Sequence, residues 1–228
     1  MVKGVTGMGL PTVAMGVLGT TMPPLAAAAI LVIPSFVTNA RQLAGPDTLR
    51  LARRLWAMLA CSVIATRLGI HLLVAIDPAW SSRALGTALI AHAVHALLSP
   101  GISIPRRVES WLSPAVGTVT GVIAGATGVF VIPAAPYLQS LGLGKDALVQ
   151  ALGLSFTVST LALAAGLLAQ GAFRLDQLGL SLLAVIPALA GMRLGTIMRR
   201  KIGPKTFRRC FLLFLLVLGL ELALRPSR

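Results

Sequence analysis

The stretch GVTGMGLP, residues 4–11, sets Gly4, Thr6, Gly7 and Gly9 ahead of Pro11. A second stretch, GATGVFVIP at 125–133, sets Gly125, Thr127 and Gly128 ahead of Pro133. Glycine and proline break helices, yet both stretches lie in strongly apolar sequence. A helix break there frees backbone N–H groups and turns a positive dipole end toward whatever lies beyond it. Glycine lets a ligand reach that backbone, and Thr6 and Thr127 add hydroxyl donors. Such a set suits a small anion. The competing reading is close packing, because small residues four apart let helices approach in lipid. A single Gly-x-x-Gly favours packing, and duplication beside prolines strengthens the anion reading.

Other polar groups stand nearby in sequence. Asn39 and Gln42 end the second apolar segment, and Ser155, Thr157, Ser159 and Thr160 form a patch on the sixth. Ser155 and Ser159 share a helix face and could line a path. Hydroxyls bonded to carbonyls of their own helix are the favoured alternative for such residues. Arg67 and Arg193 lie in or near apolar segments, where an arginine either attracts an anion or snorkels to a headgroup. His92 and His95 share a face, and His95 could couple protons because imidazole titrates near neutrality. Glu221 is read as the partner of Arg225, four residues on.

Other chemistry is poorly supplied. The 6 acidic residues are scattered, with none beside the glycine stretches, so phosphate-ester chemistry at membrane depth lacks its cluster. The 3 histidines and 2 cysteines form no ligand set, so no metal site is expected. Cys61 and Cys210 read as small core hydrophobes, and not as a disulfide or a metal site. No Walker A motif is present, so ATP is not the direct drive. No cofactor is implied.

A membrane must hold these residues. The chain has 228 residues, 56% hydrophobic and 11% charged, against about 25% charged in a soluble domain. No charged residue occurs from Gly4 to Ala40 or from Ser110 to Gly144. Each run exceeds the ~20 residues of one span. An all-α integral membrane protein is expected, since no barrel-like alternation is seen. Apolar segments fall at roughly 4–20, 24–40, 55–75, 83–98, 113–138, 147–169, 178–198 and 206–224. The net charge of +14 sits mostly between them, at Arg50, Arg53, Arg54, Arg106, Arg107 and the basic run 199–209. That is positive-inside placement with affinity for anionic headgroups, and it argues against nucleic acid.

The chain also repeats. A shift of 121 residues lays Gly4, Thr6 and Gly7 on Gly125, Thr127 and Gly128. A shift of 126 lays Arg67-Leu68-Gly69 on Arg193-Leu194-Gly195, and Pro78 on Pro204. Two homologous halves, 1–98 and 110–228, are expected. The basic loop changes place between them, which suggests opposite insertion, as in many secondary transporters. Opposite insertion requires the glycine-rich segment to be broken or re-entrant. Only Met1, Val2 and Lys3 precede GVTG, whereas Trp111 to Ala124 precede GATG. The first helix therefore reads as truncated, or the start lies upstream, and no ordinary signal peptide is read.

GVTGMG, GVIAGATGVFVIP and the ending GMRLGTIMRRKIGPKTFRRCFLLFLLVLGLELAL resemble the TauE/SafE (sulfite exporter) membrane permeases over nearly the whole chain. The resemblance implies export of sulfite, sulfonates or related sulfur-containing anions across the bacterial inner membrane. Val129 and Phe130 stand where that family usually carries more glycines. The expected protein is thus a non-enzymatic multi-pass secondary transporter. Its partners are a small anion and the bilayer, a homo-oligomer being left open. The alternatives are a membrane enzyme on lipid phosphates and a non-transporting membrane partner or degenerate paralogue.

Overall fold

In the computed structural model the described residues are 10–75, 77–98, 104–171, 175–198 and 204–224, and no strand occurs among them. The helices are α1 (Leu10–Gly19), α2 (Pro24–Leu43), α3 (Thr48–Ala75), α4 (Pro78–Leu98) and α5 (Arg106–Thr127). They continue as α6 (Ala134–Ser140), α7 (Lys145–Ala169), α8 (Leu175–Leu183), α9 (Val185–Met198) and α10 (Pro204–Leu224). By length and composition α2, α3 and α7 can cross a membrane. The chain is an all-α membrane protein.

Segment boundaries differ from the sequence reading at several places, among them the segment expected at 83–98, which begins at Pro78. The helix expected at 55–75 begins at Thr48, so Arg50, Arg53 and Arg54 ride on α3 and not in a loop. The segment expected at 178–198 is divided into α8 and α9. The segment expected at 113–138 starts at Arg106, ends as a helix at Thr127, and resumes at Ala134 after a non-helical stretch. The glycine and proline that interrupt it set those limits. Gly128 adopts φ 70° as a left-handed cap, its N–H bonding the Ala124 carbonyl at 2.8 Å. Proline at 133 cannot donate to a helical turn.

Small residues fix how the helices approach. A side chain at Gly117, Gly121 or Gly125 of α5 would strike the carbonyl oxygens of Met58, Ser62 and Thr66 of α3 in turn. Both sequences ascend together, so α3 and α5 are parallel and nearly in backbone contact, as GxxxG faces allow in lipid. Elsewhere the chain runs antiparallel. Gly19 of α1 lies against Leu85 and Leu222, while Gly16 lies against Leu89 and Leu218. Ascending α4 is therefore descending α10. In the same way Gly153 of α7 abuts Gln42 and Leu43 of α2, while Thr160 meets Asn39.

Three contacts gather one end of the bundle. The Asp47 N–H donates to Gln150 Oε1 at 3.0 Å, tying the α2–α3 turn to α7. The Ile104 N–H donates to the Ser140 carbonyl at 2.9 Å, tying the entry of α5 to the end of α6. Arg54 grips Glu109 through two bonds of 2.7 Å each. Arg41, Arg50, Arg53, Arg106, Arg107 and Lys145 belong to these same helix ends. Arg83, over the Trp80 ring at 5.4 Å, is at the start of α4, the opposite end. With 22 residues, α5 rises about 33 Å at ~1.5 Å per residue. Residues 128–140 then bring the chain back to Ile104. The glycine stretch is thus the turning point of an out-and-back excursion, whose return leg is only partly helical.

Candidate functional site

At the break, the Thr127 hydroxyl donates to the Ile123 carbonyl at 2.7 Å and accepts the Val129 N–H at 3.2 Å. It works as a cap for the interrupted helix. The expectation that Thr127 offers a free donor is therefore corrected: its proton is committed to its own helix. Beyond it Val129, Phe130 and Val131 are buried. Phe130 packs on Phe156 of α7, ring centroids 5.3 Å apart and tilted by 52°.

Gly128 and Phe130 face the crossing of α2 and α7 around a cavity of about 10 Å³, lined also by Met15, Ser35, Thr160 and Leu163. That is room for about one water. The Ser35 hydroxyl, on a residue 2% exposed, has no hydrogen-bond partner among the described residues. The Thr160 hydroxyl donates to the Phe156 carbonyl at 2.7 Å and accepts the Asn39 amide at 3.4 Å. Asn39 is fully buried, a position an amide tolerates only when hydrogen-bonded. Among the described residues the lining is mostly apolar and carries no fixed charge, and its polar side chains are the Ser35 and Thr160 hydroxyls, placed where two helices cross beside a helix break. An unsatisfied buried donor exacts a cost that a ligand accepting its proton would remove.

The remaining expected site residues are distributed widely. Gly4, Thr6, Gly7 and Gly9 lie outside the described residues. Gly125 is in the packing stripe against Thr66 and Ile70, where the packing reading applies. Ser155 and Ser159 are buried on α7 but do not line the cavity. Thr157, like Thr160, bonds a carbonyl one turn back. Arg67 on α3 and Arg193 on α9 are exposed, so neither points into the cavity. His92 is buried on α4, while His95 and Glu221 are exposed. His95 and Glu221, which the shift of 126 also lays on each other, are not neighbours: Glu221 is level with Gly86, near the middle of α4, roughly 13 Å along the helix from His95. No cluster of three or more His, Cys, Asp or Glu able to hold a metal occurs among the described residues.

Sequence reasoning overlooked several of the residues that matter. Ser35 is one turn before Asn39 on α2, so helical spacing could have found it. Phe130 and Phe156 carry no sequence signal of their meeting. Arg54 had been counted with the surface cations, although a lone Glu109 opening an apolar segment was a clue to its partner. His71, within 3.1 Å of the Gln170 amide, was passed over.

Residues 1–222 match the family model described as sulfite exporter TauE/SafE. The chain belongs to the TauE/SafE family. Neither a curated protein nor a solved structure matches it. TauE/SafE membership makes it a membrane permease of sulfite-type anions, and the match embraces both glycine stretches and the cavity. The TauE/SafE family is one of transporters.

Proposed function

We propose that this chain is a secondary transporter that exports small sulfur-containing anions, such as sulfite or organosulfonates, across the bacterial inner membrane. The anion binds beside Gly128, between α2 and α7. The observation that carries this reading is the buried Ser35 hydroxyl, without a partner among the described residues, lining the same cavity as Gly128. Binding to neutral donors avoids the cost of a fixed charge in the bilayer.

Two inverted halves, 1–98 and 110–228, form the carrier in this reading. A shift of 121 carries Pro24–Leu43 onto 145–164 within α7, and a shift of 126 carries Pro78–Leu98 onto Pro204–Leu224. Each matched pair packs together and runs antiparallel, which supports a pseudo-two-fold axis in the membrane plane. Rocking about that axis would alternate access to the cavity. Proton coupling through His92 or His95 is part of the proposal, as imidazole is the group poised for it.

The test is anion flux in proteoliposomes containing the purified chain, with sulfite, sulfoacetate and sulfate compared with and without a pH gradient. Saturable sulfite flux, reduced by Ser35→Ala, is the expected result. Flux insensitive to Ser35→Ala removes the proposed site, and gradient-independent flux removes proton coupling.

A further inference from the structure

The two apolar cores of the molecule meet at the cavity. Met15, Ala28, Leu31, Val32 and Leu163, which line it, belong to one core, together with Val129. Phe130 and Phe156 belong to the other, with Tyr137, Leu138 and Leu152. Among the described residues Phe130 is thus the one cavity-lining side chain drawn from the second core. The non-helical backbone sends adjacent side chains to different cores, Val129 to the first and Phe130 to the second. A helical turn would place these neighbours about 100° apart on one cylinder. The break therefore inserts a phenyl ring as a wall between the cavity and the core of the α3, α5 and α6 side.

That wall is rigid on one side and yielding on the other. Phe130 is 1% exposed, and Phe156 behind it is fully buried. An aromatic pair in this tilted geometry resists displacement. Opposite, Met15 covers Gly128, where a side chain would meet its Cε at 2.9 Å and its Sδ at 3.0 Å. Methionine is unbranched and adapts its shape readily. Met15 is buried as well, but of the two its unbranched chain is the better able to make room, which leaves the Phe130 ring as the firmer limit.

We propose that Phe130, braced by Phe156, is the size-determining residue of the site and confines this chain to the smallest sulfur oxyanions, sulfite foremost, excluding sulfonates with an alkyl chain. The inference rests on the transport reading above and narrows its substrate class. Phe130 acts by occupying volume, so its replacement changes which anion is carried more than how well sulfite is carried.

The experiment measures flux of sulfite and of propanesulfonate in proteoliposomes, for the unaltered chain and for Phe130→Leu, Phe130→Val and Phe130→Ala. Each variant is first checked for a single symmetric size-exclusion peak. The unaltered chain carries sulfite and excludes propanesulfonate. The propanesulfonate-to-sulfite ratio rises as the side chain shrinks, by about tenfold or more at alanine, as pocket volume discriminates alkyl groups. Phenylalanine-to-leucine is mild enough to report the trend even where alanine disrupts packing. A ratio unchanged across the folded variants overturns the size limit and leaves the transport reading intact. Propanesulfonate carried by the unaltered chain as readily as sulfite also overturns it. An unaltered chain that carries neither anion overturns the transport reading and the size limit with it.

Discussion

The Asn39 amide donates to the Thr160 hydroxyl at 3.4 Å across 121 residues of sequence. That separation equals the shift that lays the first glycine stretch on the second. An element meets its own equivalent only near a symmetry axis, so this bond marks where an axis relating the proposed halves would pass. Thr160 also lines the cavity, which couples the bond to the site. Thr160→Val removes an acceptor from a buried amide and is expected to cost about 1 kcal/mol in detergent unfolding. Sulfite flux should fall by about tenfold, the effect of ~1.4 kcal/mol on a barrier. Thr160→Ser should restore both. Loss of stability with full flux would separate the pair from the transport path.

The break itself makes a second prediction. Thr127→Val leaves the buried Val129 N–H without its acceptor, at an expected cost of about 1–3 kcal/mol. Thr127→Ser preserves the cap and should be close to neutral. Gly128→Ala faces two penalties, a left-handed φ of 70° and contact with Met15. The backbone part is about 1–2 kcal/mol. Adding Met15→Ala should relieve the contact and not the backbone strain, so Gly128→Ala/Met15→Ala should remain less stable than Met15→Ala alone. Equal unfolding midpoints for those two proteins would show that φ carries no cost there.

These two sites show what sequence could and could not convey. The helix break was legible because Gly128 and Pro133 act locally, through backbone φ and a missing N–H. The out-and-back path was hinted at by the glycines and prolines of GATGVFVIP, and the structure gives it as a helix that ends at Thr127 and a shorter one that begins at Ala134. Gly125 and Gly128 look alike in GATG, yet one packs on α3 and the other faces the cavity. That difference depends on which helix lies alongside, and no local pattern specifies it. Phe130 was noticed only as a departure from a family pattern. Its partner Phe156 is 26 residues on, brought back by α7, and only the tertiary fold pairs them.

The glycine face of α5 makes the third prediction. Gly121 lies between the Ser62 carbonyl and the Ala65 methyl. Gly121→Leu cannot be accommodated without driving α3 and α5 apart, and the carbonyls it meets are backbone, which cannot swing aside. The expected outcome is loss of folded protein, seen as aggregation on size-exclusion chromatography. Val119→Leu on the same helix is a control, because Val119 is 49% exposed and a larger apolar side chain there meets lipid. Similar losses for the two would indicate that α5 tolerates no change of any kind, and the close approach would lose its special standing.

The fourth prediction concerns the pair that holds α3 to α5 at the basic end. Arg54 Nε and Nη2 reach Glu109 Oε1 and Oε2, both at 2.7 Å, in the bidentate geometry that makes such pairs strong. The two side chains are unequally placed, Arg54 being 25% exposed and Glu109 12%. Removing either partner strands the other, but a stranded guanidinium at this end can turn toward water or a headgroup phosphate. A stranded carboxylate is more enclosed. Arg54→Gln should therefore destabilise more than Glu109→Gln, by about 3 kcal/mol against 1–2, at the lower edge of what broken buried pairs cost. The double variant should recover much of the loss, because no uncompensated charge remains. Unfolding in detergent at neutral pH and moderate salt reads all three. If Glu109→Gln proved the worse single change, repulsion between Arg54 and its neighbours Arg50, Arg53, Arg106 and Arg107 would outweigh desolvation. The pair would then act chiefly to neutralise a cation cluster and only secondarily to join two helices.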